Sequence, residues 1–128
     1  MSENIDKLIK IDPYSLSPKE KNSIFMKCIS ESIKFHFENC IDYQSYCKKK
    51  NFDPSNIIDL SSIPYLPVDI FKKMTLLSVP KSEIIKILKS SATTSNLPSI
   101  IHLDKKTATR QMISLNSIIR NFLGQEQT

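Results

Sequence analysis

Glycine is almost missing: the 128-residue chain holds one, Gly124, and it holds no tryptophan. Loops that wrap a phosphate normally need glycine, because their backbone must bend with φ > 0 to aim N–H groups inward. Cysteine is sparse and odd in number. Cys28, Cys40 and Cys47 contain no C-x-x-C pair, so no zinc site or redox dithiol is written here. They read as reduced, partly buried thiols of a cytoplasmic protein. Long hydrophobic runs are absent too. None approaches the ~20 residues of a membrane span, and the polar start Met1-Ser2-Glu3-Asn4 lacks the usual form of a signal peptide.

The charge balance is mildly basic, +5 from 18 Lys and Arg against 13 Asp and Glu. That favours solubility and weak attraction to anions. Lys48-Lys49-Lys50 and Lys105-Lys106 carry no interleaved aromatics, so they read as solvated helix ends and a nucleic-acid partner is not expected. With 40% apolar residues the chain can bury a modest core, one domain at most.

Local patterns predict an α/β chain. Residues 1–11 form a short amphipathic lead, broken at Asp12-Pro13-Tyr14. Ser17-Pro18-Lys19-Glu20 has the form of a capping box with Pro at the first helical position. A helix over about 18–38 follows, with Ile24, Cys28, Ile29, Ile33, Phe37 and Cys40 on one stripe. A shorter helix over 41–50 ends in the three lysines, where the helix dipole favours cations. Asp53-Pro54-Ser55 opens a helical turn. Pro64 and Pro67 then force an extended path from Ser61 to Val68. Asp69 to Lys73 forms one helical turn, and Leu76 to Val79 reads as a short strand. Glu83–Ser91 and Ser99–Leu103 are the clearer strands. A last helix, capped by Asp104 or Thr107, carries Ala108, Met112, Leu115, Ile119 and Phe122 at spacings of 4, 3, 4 and 3, and stops at Gly124. The organisation is therefore one partial domain: helices over 1–60, a Pro-rich extended segment over 61–80, strand-loop-strand over 81–103, and a helix over 104–124.

Between the two strands lies Ser90-Ser91-Ala92-Thr93-Thr94-Ser95-Asn96-Leu97-Pro98-Ser99. On composition alone this is a polar turn. Converging hydroxyls between two strand ends also suit a phosphate. The loop resembles the S-S-G-T-T-G loop of acyl-adenylating enzymes, and the chain as a whole resembles the LuxE-type acyl-protein synthetases. Four stretches carry the likeness, in order: Asp12-Pro13-Tyr14-Ser15-Leu16-Ser17; Ile63 to Lys72, which reads I-P-Y-L-P-V-D-I-F-K; the loop; and Leu103-Asp104-Lys105-Lys106-Thr107. The second is the most specific. Ala92 stands where the family has glycine, and Ser95 where the wider superfamily has a second one.

The resemblance implies the N-terminal, α-rich part of an acyl-adenylate-forming fold, with short strands flanking the Ser/Thr loop. It implies ATP with Mg as cofactor and an acyl substrate. Ser90, Ser91, Thr93 and Thr94 would then contact the phosphates, with Ser99 at the loop edge. Thr107 and Gln111, on adjacent helical turns, would brace the loop. Family members are several times longer, which suggests a truncated relative or fragment without adenylating activity of its own, or an interaction module that pairs with another subunit. Ala92 predicts weakened ATP binding. His36, beside Phe35 and Phe37, belongs at the border of its helix stripe. His102 has no Cys or Asp at ligand spacing. Cys47, next to Lys48, comes nearest to the exposed, electropositive setting of a reactive thiol. The helix stripes need facing layers that two short strands do not supply, so self-association or a protein partner is expected.

Overall fold

A computed structural model describes residues 3–91 and 97–124. The chain is mixed α/β. The order is α1 (Glu3–Leu8), α2 (Pro18–Asn39), α3 (Ile41–Lys49), a 3-10 turn (Leu60–Ser62), α4 (Ile70–Lys73), a second 3-10 turn (Lys81–Glu83), β1 (Ile84–Lys89), β2 (Ile100–Asp104) and α5 (Lys105–Leu123).

The helix ends follow from their sequences. Ser17 caps α2 with the reciprocal pair of a capping box: its Oγ accepts the Glu20 N–H at 3.3 Å, and Glu20 Oε2 accepts the Ser17 N–H at 2.8 Å. Asp104 caps α5 by accepting the Thr107 N–H at 2.8 Å. The end of α3 shows how a glycine-poor chain turns. Asn51 takes φ 52°, the left-handed conformation. Its N–H reaches Lys48 O at 3.1 Å and the Phe52 N–H reaches Cys47 O at 3.0 Å, a Schellman ending with asparagine in glycine's usual place.

β1 and β2 pair antiparallel, Lys86 opposite Leu103, Ile87 opposite His102 and Lys89 opposite Ile100. A bulge falls at Ile85, because Ile84 opposes Asp104 while Lys86 opposes Leu103. α5 packs on both strands, α4 on β2, and α2 on α1 and α3. The buried core is small: Cys28, Ile33, Cys40, Cys47 and Leu103. Three of its five members are cysteines acting as compact hydrophobes. Burial pushes the Cys28 and Cys47 thiols up, away from reactivity, so the electropositive setting read beside Lys48 does not reach the Cys47 sulfur.

Three local expectations change. Leu76–Val79 is not a strand; it has no ladder pairing and the chain bends at Ser78 and Val79 before Pro80. Asp53–Ser55 is not a helical turn, because Asp53 Oδ1 draws in the Ser55 N–H at 2.9 Å and closes an Asx-type turn. The segment from Ser61 begins inside the 3-10 turn, capped by Asp59 through the Ser62 N–H at 3.1 Å, and becomes extended only afterwards.

The α5 stripe is present but faces away from the molecule. Met112, Leu115, Ile119 and Phe122 are 57%, 51%, 41% and 77% exposed. The buried side of the helix is instead occupied by Arg110, 7% exposed. At about 100° per residue the stripe lies opposite Arg110, so docking Arg110 inward turns the stripe out. Among the described residues, no helix is long and apolar enough to cross a membrane.

Candidate functional site

Two of the loop residues form the mouth of the strand-loop-strand unit. The Ser90 N–H donates to Ser99 O at 3.0 Å, and the Ser99 N–H donates to Ser90 Oγ at 2.9 Å. Ser90 is thus first a clamp that extends the strand pairing by one rung, and its hydroxyl proton is left to point elsewhere. Ser91 is exposed. Thr93 and Thr94, with Ala92, lie outside the described residues.

Beside β2, on the same strand pair, lies a cavity of about 500 Å³. Its wall is mostly apolar, with Phe35 from α2, Leu66 and Phe71 from the Pro-rich stretch and α4, Leu77 from the extended segment, and Ile101 and Leu103 from β2. Leu66 and Phe71 belong to the I-P-Y-L-P-V-D-I-F-K stretch, so the most specific sequence likeness builds one side of this cavity. Thr107 and Gln111 reach the same wall from the first two turns of α5. A cavity of about 600 Å³ lies between α1, α2 and α5, lined among others by Leu8, Phe25 and Ile118. None of its lining residues belongs to either strand.

The polar side chains in the 500 Å³ cavity are His36, Tyr43, Ser78, His102, Asp104, Thr107 and Gln111. His36 Nδ1 and Ser78 Oγ stand 2.6 Å apart, 42 residues removed in sequence. Both line the cavity. Although His36 keeps an exposed side on its helix, loss of solvent around the ring lowers its pKa below the ordinary histidine range. The ring also meets Phe35 edge-on, 5.5 Å between centroids. The Asp104 carboxyl is held below its ordinary range, chiefly by the hydrogen bond from Thr107. Tyr43, in the same wall, has its pKa pushed up by burial and stays a neutral phenol.

Ser78 carried no signal in the sequence, and His36 read only as a border residue. Their meeting depends on how the 61–80 segment lies across α2. His102 lines the cavity too, and among the described residues no three His, Cys, Asp or Glu side chains gather as a metal site.

Compared with known families, residues 1–128 match the family described as Acyl-protein synthetase, LuxE. The chain belongs to the LuxE family. Its relatives include the long-chain-fatty-acid–luciferin-component ligase of Photorhabdus luminescens, 32% identical over 93 residues, which are 72% of this chain and 79% of that one. The ligase of the same name from Vibrio harveyi is 30% identical over 116 residues, 90% of this chain and 30% of that one. The Aliivibrio fischeri ligase is 29% identical over the same shares. The LuxE-family chain therefore spans about 30% of the length of the Vibrio harveyi and Aliivibrio fischeri relatives. No solved structure gives a significant match.

Proposed function

We propose that this LuxE-family chain holds an acyl chain and a nucleotide side by side, as part of an ATP-dependent activation of a long-chain fatty acid. The observation that carries the reading is the apolar cavity built against the same strand pair that bears the Ser/Thr loop. The family match and the printed names of the relatives supply the chemistry. A cavity of about 500 Å³ is in the range of small-molecule sites. Each methylene buried in it adds ~0.8 kcal/mol, so chain length alone gives affinity.

The loop's donors fit a phosphate. Ser90, Ser91, Thr93 and Thr94 supply neutral hydroxyls, and the Ser90–Ser99 clamp holds the loop ends together. When bound, ATP would supply the adenylyl group that makes the carboxylate a good acyl donor, with Mg²⁺ entering as the nucleotide's counter-ion. The exposed α5 stripe would meet further polypeptide of a full-length LuxE fold or a partner, and adenylation by these 128 residues alone is not expected.

Calorimetry with ATP·Mg and with decanoate tests the reading. We expect weak ATP binding that Ala92→Gly strengthens about fivefold, because the φ > 0 conformation of the resembled loop costs alanine roughly 1 kcal/mol. Decanoate should bind and be weakened by Phe71→Ala. Equal ATP affinity in the wild type and Ala92→Gly would remove the loop from the nucleotide site. Acid-driven pyrophosphate exchange by the purified chain would show that it needs no further segment.

A further inference from the structure

We propose that Ser78 is an acyl acceptor and His36 its base: the pair takes the acyl group from an activated acyl donor whose chain occupies the 500 Å³ cavity. The inference rests on the reading that this cavity takes an acyl chain. It adds a covalent step that needs no ATP.

Three observations converge on these two residues. The first is distance. Ser78 Oγ and His36 Nδ1 are 2.6 Å apart, within reach for proton transfer. The second is protonation. Loss of solvent around the ring lowers its pKa and so favours the neutral imidazole, and with the proton on Nε2 the free Nδ1 lone pair accepts the Ser78 O–H. A charged imidazole would have no lone pair to offer. The third is placement. Both residues line a cavity whose wall is mostly aliphatic and aromatic, with His102 and Asp104 as its other titratable groups, so an acyl chain seated on the apolar wall brings its carbonyl end to the polar part of the lining. Thr107 and Gln111 add neutral hydrogen-bond donors to the same lining. A hydroxyl bonded to a neutral imidazole is the pairing that activates a serine nucleophile.

The step balances without a further reagent. Ser78 Oγ bonds to the carbonyl carbon while its proton passes to His36 Nδ1. The bond from that carbon to the leaving group breaks, and the leaving group departs with the electron pair and receives the proton. The product is an acyl ester on Ser78 and a free thiol or alcohol. The exposed side of His36 gives the leaving group a path to water.

The test uses the full chain without nucleotide. Cavity occupancy is read by fluorescence of cis-parinaric acid. Acylation is read by intact mass after p-nitrophenyl decanoate in one arm and decanoyl-coenzyme A in the other, separating oxygen-ester from thioester donors. We expect one decanoyl adduct, mapped to Ser78 and absent in Ser78→Ala. His36→Gln should slow its formation about a hundredfold. Ser78→Cys should preserve the shape and give a hydroxylamine-sensitive thioester, which keeps the test decisive if Ser78→Ala does not fold. Parinaric acid binding with no adduct in either arm would overturn the pair and leave the cavity reading standing. No binding and no adduct would overturn both. An adduct on lysine or cysteine that persists in Ser78→Ala would assign the reaction to adventitious chemistry and reject the proposal.

Discussion

Arg110 grips Asp6 from the far end of the chain. The guanidinium donates through Nε to Oδ1 at 2.7 Å and through Nη2 to Oδ2 at 2.9 Å, across 104 residues of sequence. The two-pronged pair ties α1 to α5 and decides which side of α5 faces inward. It is charge-assisted and planar, a geometry that lysine cannot reproduce. The Arg110 side chain is 8% exposed and also faces the Asp104 charge, so removing the Asp6 charge takes the larger share of what compensates a desolvated cation.

Asp6→Asn is expected to free α1. Hydrogen exchange over residues 3–8 should rise toward that of an unfolded peptide, and the thermal midpoint should fall. Arg110→Met in the same background should recover part of the loss by removing the stranded charge. Unchanged protection of α1 in Asp6→Asn would show that packing alone holds it.

Stability should rise with pH in two steps. Asp6, Glu20, Asp53, Asp59 and Asp104 all have pKa values lowered by hydrogen bonds, with Arg110 as the main cause at Asp6. A lowered carboxylate stabilises the fold above its unfolded pKa, near 4, and that stability is lost as pH falls through the folded value. His36 has the same sign for a different reason. Its folded pKa is depressed by burial, so the unfolded chain binds the proton first and the fold is penalised as pH drops below about 6.5. Urea melts from pH 8 to pH 3 should show both steps, and His36→Gln should erase the upper one alone.

Core and surface should respond oppositely. Leu103, 5% exposed on β2, belongs to the buried core, and Leu103→Ala should cost about 2–5 kcal/mol. Leu115→Glu and Phe122→Glu change residues that are 51% and 77% exposed. They should cost little stability while reducing hydrophobic-dye binding and any concentration-dependent sedimentation. Equal dye binding by the wild type and the double variant would show that the stripe is not the adhesive face.

The capping box at α2 gives a narrower check. Ser17→Ala should destabilise by about 1 kcal/mol, visible as a shift in denaturant midpoint without a change in slope. No shift would mean that the α2 start frays in the intact protein.

Where structure rests on near neighbours, the residues predicted it closely. α2 was expected over about 18–38 and spans Pro18–Asn39; α3 was expected over 41–50 and spans Ile41–Lys49. Both strands lie within a residue or two of expectation, and Asp104 rather than Thr107 caps α5. These features depend on a cap, a proline or a periodicity within a few positions. The 76–79 segment is not a strand for the complementary reason. Its apolar pattern suits a ladder, but among the described residues β1 pairs only with β2.

By itself the sequence determined the helix starts and stops, the family likeness of the loop and Pro-rich stretch, and the role of the cysteines as buried thiols. Tertiary structure alone decided three things: that Arg110 faces inward and the apolar stripe outward, that Leu66, Phe71 and β2 enclose one cavity, and that His36 meets Ser78 within it. The physical reason is common to all three. A helix has two sides and the sequence marks which is apolar, but which side is covered depends on what the rest of the chain offers it. Here the carboxylate of Asp6, 104 residues away, gives the guanidinium of Arg110 a partner that no local pattern could announce.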